Sequence, residues 1–345
     1  MKIENEIKLD FSDVLIRPKR STLNSRSEVD LERKFKFKYS SQEWKGIPII
    51  AANMDTTGTF EVHDCLNKHK IITAFNKFYS AEDYKSRFYS KGLNSDNYMV
   101  STGISDSDLE NVMLTIKELG SNWICIDVAN GYMNKLVEFC KKVRSIYPTK
   151  IIVAGNVVSR EMTEELILNG HVDIVKVGIG PGSACTTRLK TGVGMPQLSA
   201  IIECADAAHG VGGHIIADGG ITCPGDMAKA FGAGADFVMV GGQFAGHDEN
   251  PGEIRTETNG EKYKMFYGMS SDTAMNKHYG SMASYRSSEG RTIKMKYKGK
   301  LEDTVLDYLG GLRSTCTYIN AKNIKNIPKC TTFVRVNRQL NTIYA

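Results

Sequence analysis

The stretch IIVAGNVVSREMTEELILNGHVDIVKV, residues 151–177, holds one complete structural unit. Its two ends, 151–154 and 173–177, are short apolar runs rich in Ile and Val, the composition of strands buried on both faces. Between them Ser159 to Asn169 has helical spacing, and Gly170 closes it. Strand, helix, strand in that order is a parallel crossover unit. The alternation continues outward in both directions, with apolar runs at 47–52, 71–74, 98–101, 123–126, 214–217 and 237–240. Leu109, Val112, Met113, Ile116 and Leu119 form a helical stripe, with Ser107 or Asp108 as its cap and Gly120 as its stop. Met133, Leu136, Val137, Cys140 and Val143 form another. Eight units in series predict an α/β fold of the (β/α)8, or TIM, barrel type. A doubly wound sheet is the alternative. Residues 1–345 are read as a single barrel domain. After the eighth strand, 244–300 lose the rhythm and read as an excursion over the barrel mouth, with a mobile flap at 265–300. A helix at 301–310 comes next, and the tail reads as irregular.

The composition is that of a globular protein: 41% apolar and 24% charged over 345 residues. A net charge of +5 is modest. It suits a binder of small anions and gives no footprint for nucleic acid. The N-terminus, MKIENEIKLDFSDV, carries no apolar leader, and no run reaches membrane-spanning length. Those features predict a cytoplasmic chain without a membrane role. Its eight cysteines, at 65, 125, 140, 185, 204, 223, 316 and 330, include no C-x-x-C pair and no zinc-like spacing. They read as free thiols, most of them small buried hydrophobes.

Cys185 does not fit that description. Residues 177–194 read VGIGPGSACTTRLKTGVG, a loop almost free of bulky side chains around one thiol. A dinucleotide-binding turn is a poor match, because no helix starts at once and Gly192, Gly194 and Pro196 interrupt the segment after the loop. Glycines instead expose amides and carbonyls, to an anion or to a cation. Arg188 nearby would favour a thiolate, and Thr187 would relay a proton. A nucleophile and a structural cysteine in a turn both remain open on these residues alone. Glycine pairs follow the seventh strand (ADGGI, 217–221) and the eighth (VGGQ, 240–243), where barrels commonly hold phosphate. Asp218 is better placed for ribose hydroxyls. In the excursion, GMSS (268–271) and YRSSEG (285–290) add a lone carboxylate, Glu289, suited to acid–base work.

Taken together, these segments resemble the IMP dehydrogenase / GMP reductase family. The family's cysteine loop, G-x-G-P-G-S-x-C-T-T-R, matches Gly178–Arg188, and the other motifs match in the same order along nearly the whole chain. The reductase branch is the closer likeness. Only ordinary spacing separates the second and third strands, where dehydrogenases usually carry inserted regulatory CBS modules. Residues 271–288 hold no Arg-Tyr pair, and RLKTGVGMPQ and GGLRSTCTY (310–318) are similar to reductase segments. Two departures are Asn76-Lys77-Phe78, where the pattern has His-Lys-His, and Met195, often tyrosine.

The resemblance implies conversion of GMP and NADPH to IMP, ammonia and NADP, through a thioimidate on Cys185, in purine interconversion. Thr187 and Glu289 would move the proton. Ser183, Gly220, Gly241 and Gly242 would cradle the phosphate and Asp218 would hold the ribose, with Gly219 also binding the substrate. Gly268, Met269, Ser270, Arg286 and Gly290 would surround the base. NADPH would lie against Lys77, Asp127, Val128, Ala129, Gly180 and Tyr285, with Ser314, Thr315, Cys316 and Thr317 also near it. Carbonyls of Gly180, Gly182, Cys185 and Arg188 would hold potassium. A homotetramer is the implied assembly. A dehydrogenase without CBS modules is the nearest alternative. A phosphosugar-handling barrel, in which Cys185→Ser keeps activity, and a regulatory nucleotide binder stand further off.

Overall fold

The computed structural model describes residues 1, 3–93, 96–281, 284–285 and 287–337, without the Leu119 side chain. Eight parallel strands close into a barrel: β1 Ile49–Ala51, β2 Ile72–Ala74, β3 Tyr98–Thr102, β4 Trp123–Asp127, β5 Ile151–Val157, β6 Ile174–Val177, β7 His214–Asp218 and β8 Phe237–Val240. Each strand pairs with the next in sequence, and β8 returns to β1 with Val238 opposite Ile49 and Val240 opposite Ala51. Closure excludes the doubly wound sheet. All eight runs read from the sequence lie in this one barrel.

The strands are apolar throughout because both of their faces are covered. Alternate residues point to opposite sides. Ile50, Ile72, Met99, Cys125, Val153, Ile174, Ile216 and Met239 fill the interior. Their neighbours Ile49, Val100, Ile124, Ile152, Val175, Ile215 and Val238 face the helices. The helices are α1 Phe60–Leu66, α2 Ala81–Lys91, α3 Asp106–Leu119, α4 Asn134–Ile146, α5 Arg160–Leu168, α6 Gln197–Gly210, α7 Pro224–Gly232 and α8 Leu301–Ile319. α3 is capped by Ser105, ahead of the expected Ser107 or Asp108: Ser105 accepts from Asp108 N–H, and the Asp108 side chain returns the bond. Gly120 ends it in the left-handed conformation, φ 68°. α8 runs well past its expected end at 310. The Gly310-Gly311 pair is not a stop. A Cβ at Gly311 would lie 2.5 Å from Pro224 Cβ, so the glycine lets α8 press against α7. No helix among the described residues is long and apolar enough to cross a membrane.

Additions at the two ends of the barrel decide where chemistry is possible. At the N-terminal end a hairpin, Arg33–Lys36 paired with Glu43–Gly46, drives Phe35, Phe37 and Trp44 into the interior. Phe35 stacks on Phe237 at 4.3 Å, and Trp44 meets Trp123 edge-on at 5.9 Å. The tail is not irregular throughout: Phe333–Arg335 pairs antiparallel with Val14–Ile16. At the C-terminal end the excursion builds a three-stranded antiparallel sheet from Arg255–Thr256, Lys262–Tyr267 and Thr292–Lys296, with a helix, Asp272–Tyr279, inserted between the last two.

Candidate active site

The cysteine loop leaves the top of β6 and folds back immediately. Gly178 has φ 150°, and a Cβ there would strike Asp218 O at 2.2 Å, so only glycine lets β6 and β7 converge. The loop is then locked by the excursion. Cys185 and Gly290 form an antiparallel bridge. Thr186 N–H donates to Glu289 O at 2.8 Å, and Arg291 N–H to Ala184 O at 2.9 Å. Three backbone segments meet here: a Cβ at Gly268 would lie 2.7 Å from Ala184 O, and one at Gly290 2.8 Å from Ser271 N.

This locking lines up a proton path. The half-buried Cys185 Sγ–H donates to Thr187 Oγ1 at 3.2 Å, and Thr187 Oγ1–H donates to Glu289 Oε2 at 2.9 Å. A hydroxyl that donates to a carboxylate keeps its lone pairs for the thiol. The arrangement can carry a proton from sulfur to Glu289 and return it to a leaving group. The expected help from Arg188 to the thiol is absent. Its guanidinium turns to Asp10 Oδ2 at 3.2 Å and Met195 O at 2.5 Å. Its stem packs over Gly180 and Gly194, where added Cβ atoms would lie 2.4 and 2.7 Å from Arg188 Cγ.

A cavity of about 600 Å³ opens beside the thiol over the barrel mouth. Cys185, Thr187 and Glu289 line it together. So do Ser183, Asp218, Gly219, Gly220, Gly241 and Gly242 on one side, and Gly268, Met269, Ser270 and Gly290 on the excursion side. Lys77, Asp127, Val128, Ala129, Gly180 and Gly182 complete the expected residues found there. A Cβ at Gly242 would lie 2.9 Å from Ser183 Oγ, so these two approach closely across the mouth. Ser314, Thr315, Cys316 and Thr317 do not line the cavity. They sit on the last turns of α8, where Thr315 and Thr317 hydroxyls donate to the helix's own carbonyls and Cys316 is fully buried. Tyr285 is exposed and outside the lining. Arg286 lies outside the described residues.

Sequence reasoning missed the residue at the floor of this cavity, Lys176. Asp127 continues the inward row of Cys125 on β4, Lys176 that of Ile174 on β6, and Asp218 that of Ile216 on β7. Lys176 Nζ lies 2.8 Å from Asp127 Oδ1, 3.3 Å from Asp218 Oδ2 and 3.4 Å from Asn53 Oδ1. Burial opposes its charge, but Asp127 and Asp218 outweigh burial and raise the ammonium above its usual range. Burial likewise works against the Asp127 carboxylate, and Lys176 more than offsets it, lowering Asp127. Asn53 Nδ2 donates to the second Asp127 oxygen at 2.8 Å, and Asn156 Nδ2 to Asp218 Oδ2 at 2.8 Å. The available signal was a lysine inside an otherwise Ile/Val strand.

Asp55, just after β1, fastens the excursion helix. Its Oδ2 accepts from Tyr267 Oη at 2.9 Å and Lys277 Nζ at 2.9 Å, and lies 2.6 Å from His278 Nε2. Phe78 stacks on His278 at 3.4 Å, with planes 4° apart. The departure at position 78 thus finds its partner within the same chain.

Residues 8–340 match the model of the IMP dehydrogenase / GMP reductase domain. The chain is 58% identical over 345 residues to GMP reductase 1 of Homo sapiens, covering 100% of this chain and 99% of that protein. It is 57% identical to the GMP reductase of Caenorhabditis elegans (99% and 96%). It is 58% identical to that of Escherichia coli O81 (100% and 99%).

Proposed function

The chain belongs to the IMP dehydrogenase / GMP reductase family, and from that premise we infer an NADPH-dependent oxidoreductase that converts GMP to IMP with release of ammonia. The observation that carries the chemistry is the Cys185–Thr187–Glu289 chain opening on the cavity. Cys185 sulfur attacks C2 of the guanine as its proton passes through Thr187 to Glu289. The same proton returns to the departing nitrogen, which leaves as ammonia, and the purine stays bound through a C2–S bond. NADPH supplies a hydride when bound. As C2 takes it, the C–S bond breaks and the electron pair returns to sulfur. IMP departs and a proton from water restores the thiol. Splitting one displacement into two steps is the purpose of the covalent bond.

Asp218 receives the ribose, with no protein donor reaching its Oδ1 among the described residues. Ser183, Gly220, Gly241 and Gly242 receive the phosphate. Met269, Ser270 and Gly290, from the excursion read as the flap, cover the base. The cavity continues from Cys185 past Asp127 to Lys77, Ser105 and Asp108, which supports a nicotinamide cofactor lying on that side. Gly180, Gly182, Cys185 and Arg188 offer carbonyls to potassium. The fit is fair. Gly180 packs against Arg188, so the turn closes on itself. Gly182 O and Arg188 O each accept one N–H, leaving a second lone pair. A cytoplasmic homotetramer of single-domain chains completes the proposal, and light scattering tests the assembly.

The deciding assay follows NADPH absorbance with GMP beside NADH formation with IMP and NAD, using wild type and Cys185→Ala. Loss of NADPH with GMP, abolished in the variant, supports the reading. Turnover of IMP with NAD instead would overturn it in favour of a dehydrogenase.

A further inference from the structure

Lys176 is used by none of the steps above, yet it is 1% exposed and carries a full charge beneath the reacting groups. Its ammonium donates to Asp127 and Asn53 and pairs as an ion with Asp218 at 3.3 Å. The sequence makes room for this reach. Between β4 and β6 the inward position on β5 is Gly155, and a Cβ there would lie 2.6 Å from Lys176 Cβ. The missing side chain lets lysine span from β6 towards β4 while also touching β7.

We propose that Lys176 is a positioning residue that joins the two halves of the cavity, holding Asp218 for the nucleotide ribose and Asp127 for the cofactor side with one shared charge, so that binding on either side is felt on the other. The proposal rests on the assignment of GMP and NADPH made above. Asp218 presents Oδ1 to the ribose only while its Oδ2 is anchored by Lys176 and Asn156. Asp127 stays ionised beside Asp218 because the lysine lies between them. A ribose that draws on Asp218 loosens its hold on the lysine, which then pairs more fully with Asp127. Without the ammonium, two carboxylates face one another across the barrel floor, and one takes up a proton.

The test uses Lys176→Met, of similar length without charge, and the double variant Lys176→Met/Asp127→Asn, which removes one carboxylate with the cation. The readouts are the pH profile of kcat/KM, calorimetric Kd for GMP, and the factor by which NADP changes that Kd. For Lys176→Met the acid limb moves up by about 1–3 pH units, and GMP affinity falls about tenfold or more. The double variant recovers GMP affinity relative to Lys176→Met and loses the dependence on NADP. If Lys176→Met does not fold, the charge-balanced double variant folds and carries the test alone. The proposal is overturned if Lys176→Met folds with its acid limb and GMP affinity unmoved, if the double variant is no better than the single one, or if it keeps wild-type coupling to NADP. Wild type that binds no GMP at all would instead sink the functional assignment.

Discussion

Both ends of this barrel bury carboxylates against cations, but they finish the job differently. At the N-terminal end Asp236 is 1% exposed, and both its oxygens are occupied. Arg33 Nη2 donates to Oδ1 at 2.8 Å, while His209 Nε2 and Ile215 N–H reach Oδ2 at 2.7 and 3.1 Å. Burial works against its charge, and His209 together with His214, whose Nδ1 lies 3.3 Å from Oδ2, outweighs that and holds the carboxyl well below its usual range. At the C-terminal end Asp218 lines the cavity, and among the described residues only its Oδ2 has protein partners. A buried carboxylate with a donor on each oxygen acts on stability. A half-open one has capacity to spare and acts on binding. The aromatic plug and the glycine turns repeat the contrast in apolar terms.

That contrast is broken most severely at the open end. Glu289→Gln keeps the shape of the excursion but removes the proton acceptor, so kcat falls about 10²–10⁴-fold, while thermal unfolding stays at the wild-type temperature. A kcat within a factor of a few of wild type would show that another group takes the thiol proton. At the closed end Asp236→Asn is expected to cost about 3–5 kcal/mol of stability by stranding Arg33, with kcat/KM of the folded fraction unchanged. Chemical denaturation beside steady-state kinetics separates the two. An Asp236→Asn variant that is stable but slow would erase the distinction between the ends.

The next effect is on pH. His63 in α1 is 2% exposed and, among the described residues, has no hydrogen-bond partner on either ring nitrogen. Burial is the main cause that lowers its pKa from 6.5 to about 4. The unfolded chain therefore takes up this proton first as pH falls. Stability conferred by the neutral ring is full above about 6.5 and is lost progressively down to about 4, amounting to about 3 kcal/mol. His63→Leu should flatten that part of the curve in denaturation midpoints measured between those values. An unchanged slope would place the acid sensitivity elsewhere. The smallest effect concerns the excursion helix: Phe78→Ala removes the stack on His278, about 0.5–1.5 kcal/mol, and should speed proteolysis within 272–279 without moving global unfolding. Equal cleavage rates would show that the stack does not hold the helix, leaving Asp55 and the Thr273–Thr292 contact to do so.

The barrel was legible because strands covered on both faces have no polar alternation to confuse them, so each read as an unbroken apolar run. The hairpin plug was less so. Lys34, Phe35, Lys36, Phe37 and Lys38 do alternate as a strand should, but nothing local says that such a strand closes a barrel end. The tail strand has three residues, below the length at which periodicity can be read. Around the site, glycines and the cysteine announced themselves through the backbone freedom they imply. Lys176 did not, since its meaning depends on Asp127 and Asp218 reaching it from strands 49 and 42 residues away. Arg188 showed the opposite failure: adjacency in sequence suggested help for the thiol, and the loop's fold sent the side chain to Asp10.

The bridge between Cys185 and Gly290 has a consequence for the safety of the thiol. Glu289 belongs to the excursion and not to the barrel wall, and it reaches Thr187 only while 289–291 run alongside 184–186. Any displacement that parts these segments withdraws the carboxylate in the same movement. The sulfur is then left holding its proton, an ordinary thiol facing solvent. The carboxylate and the cover over the thiol are thus parts of one segment and move together.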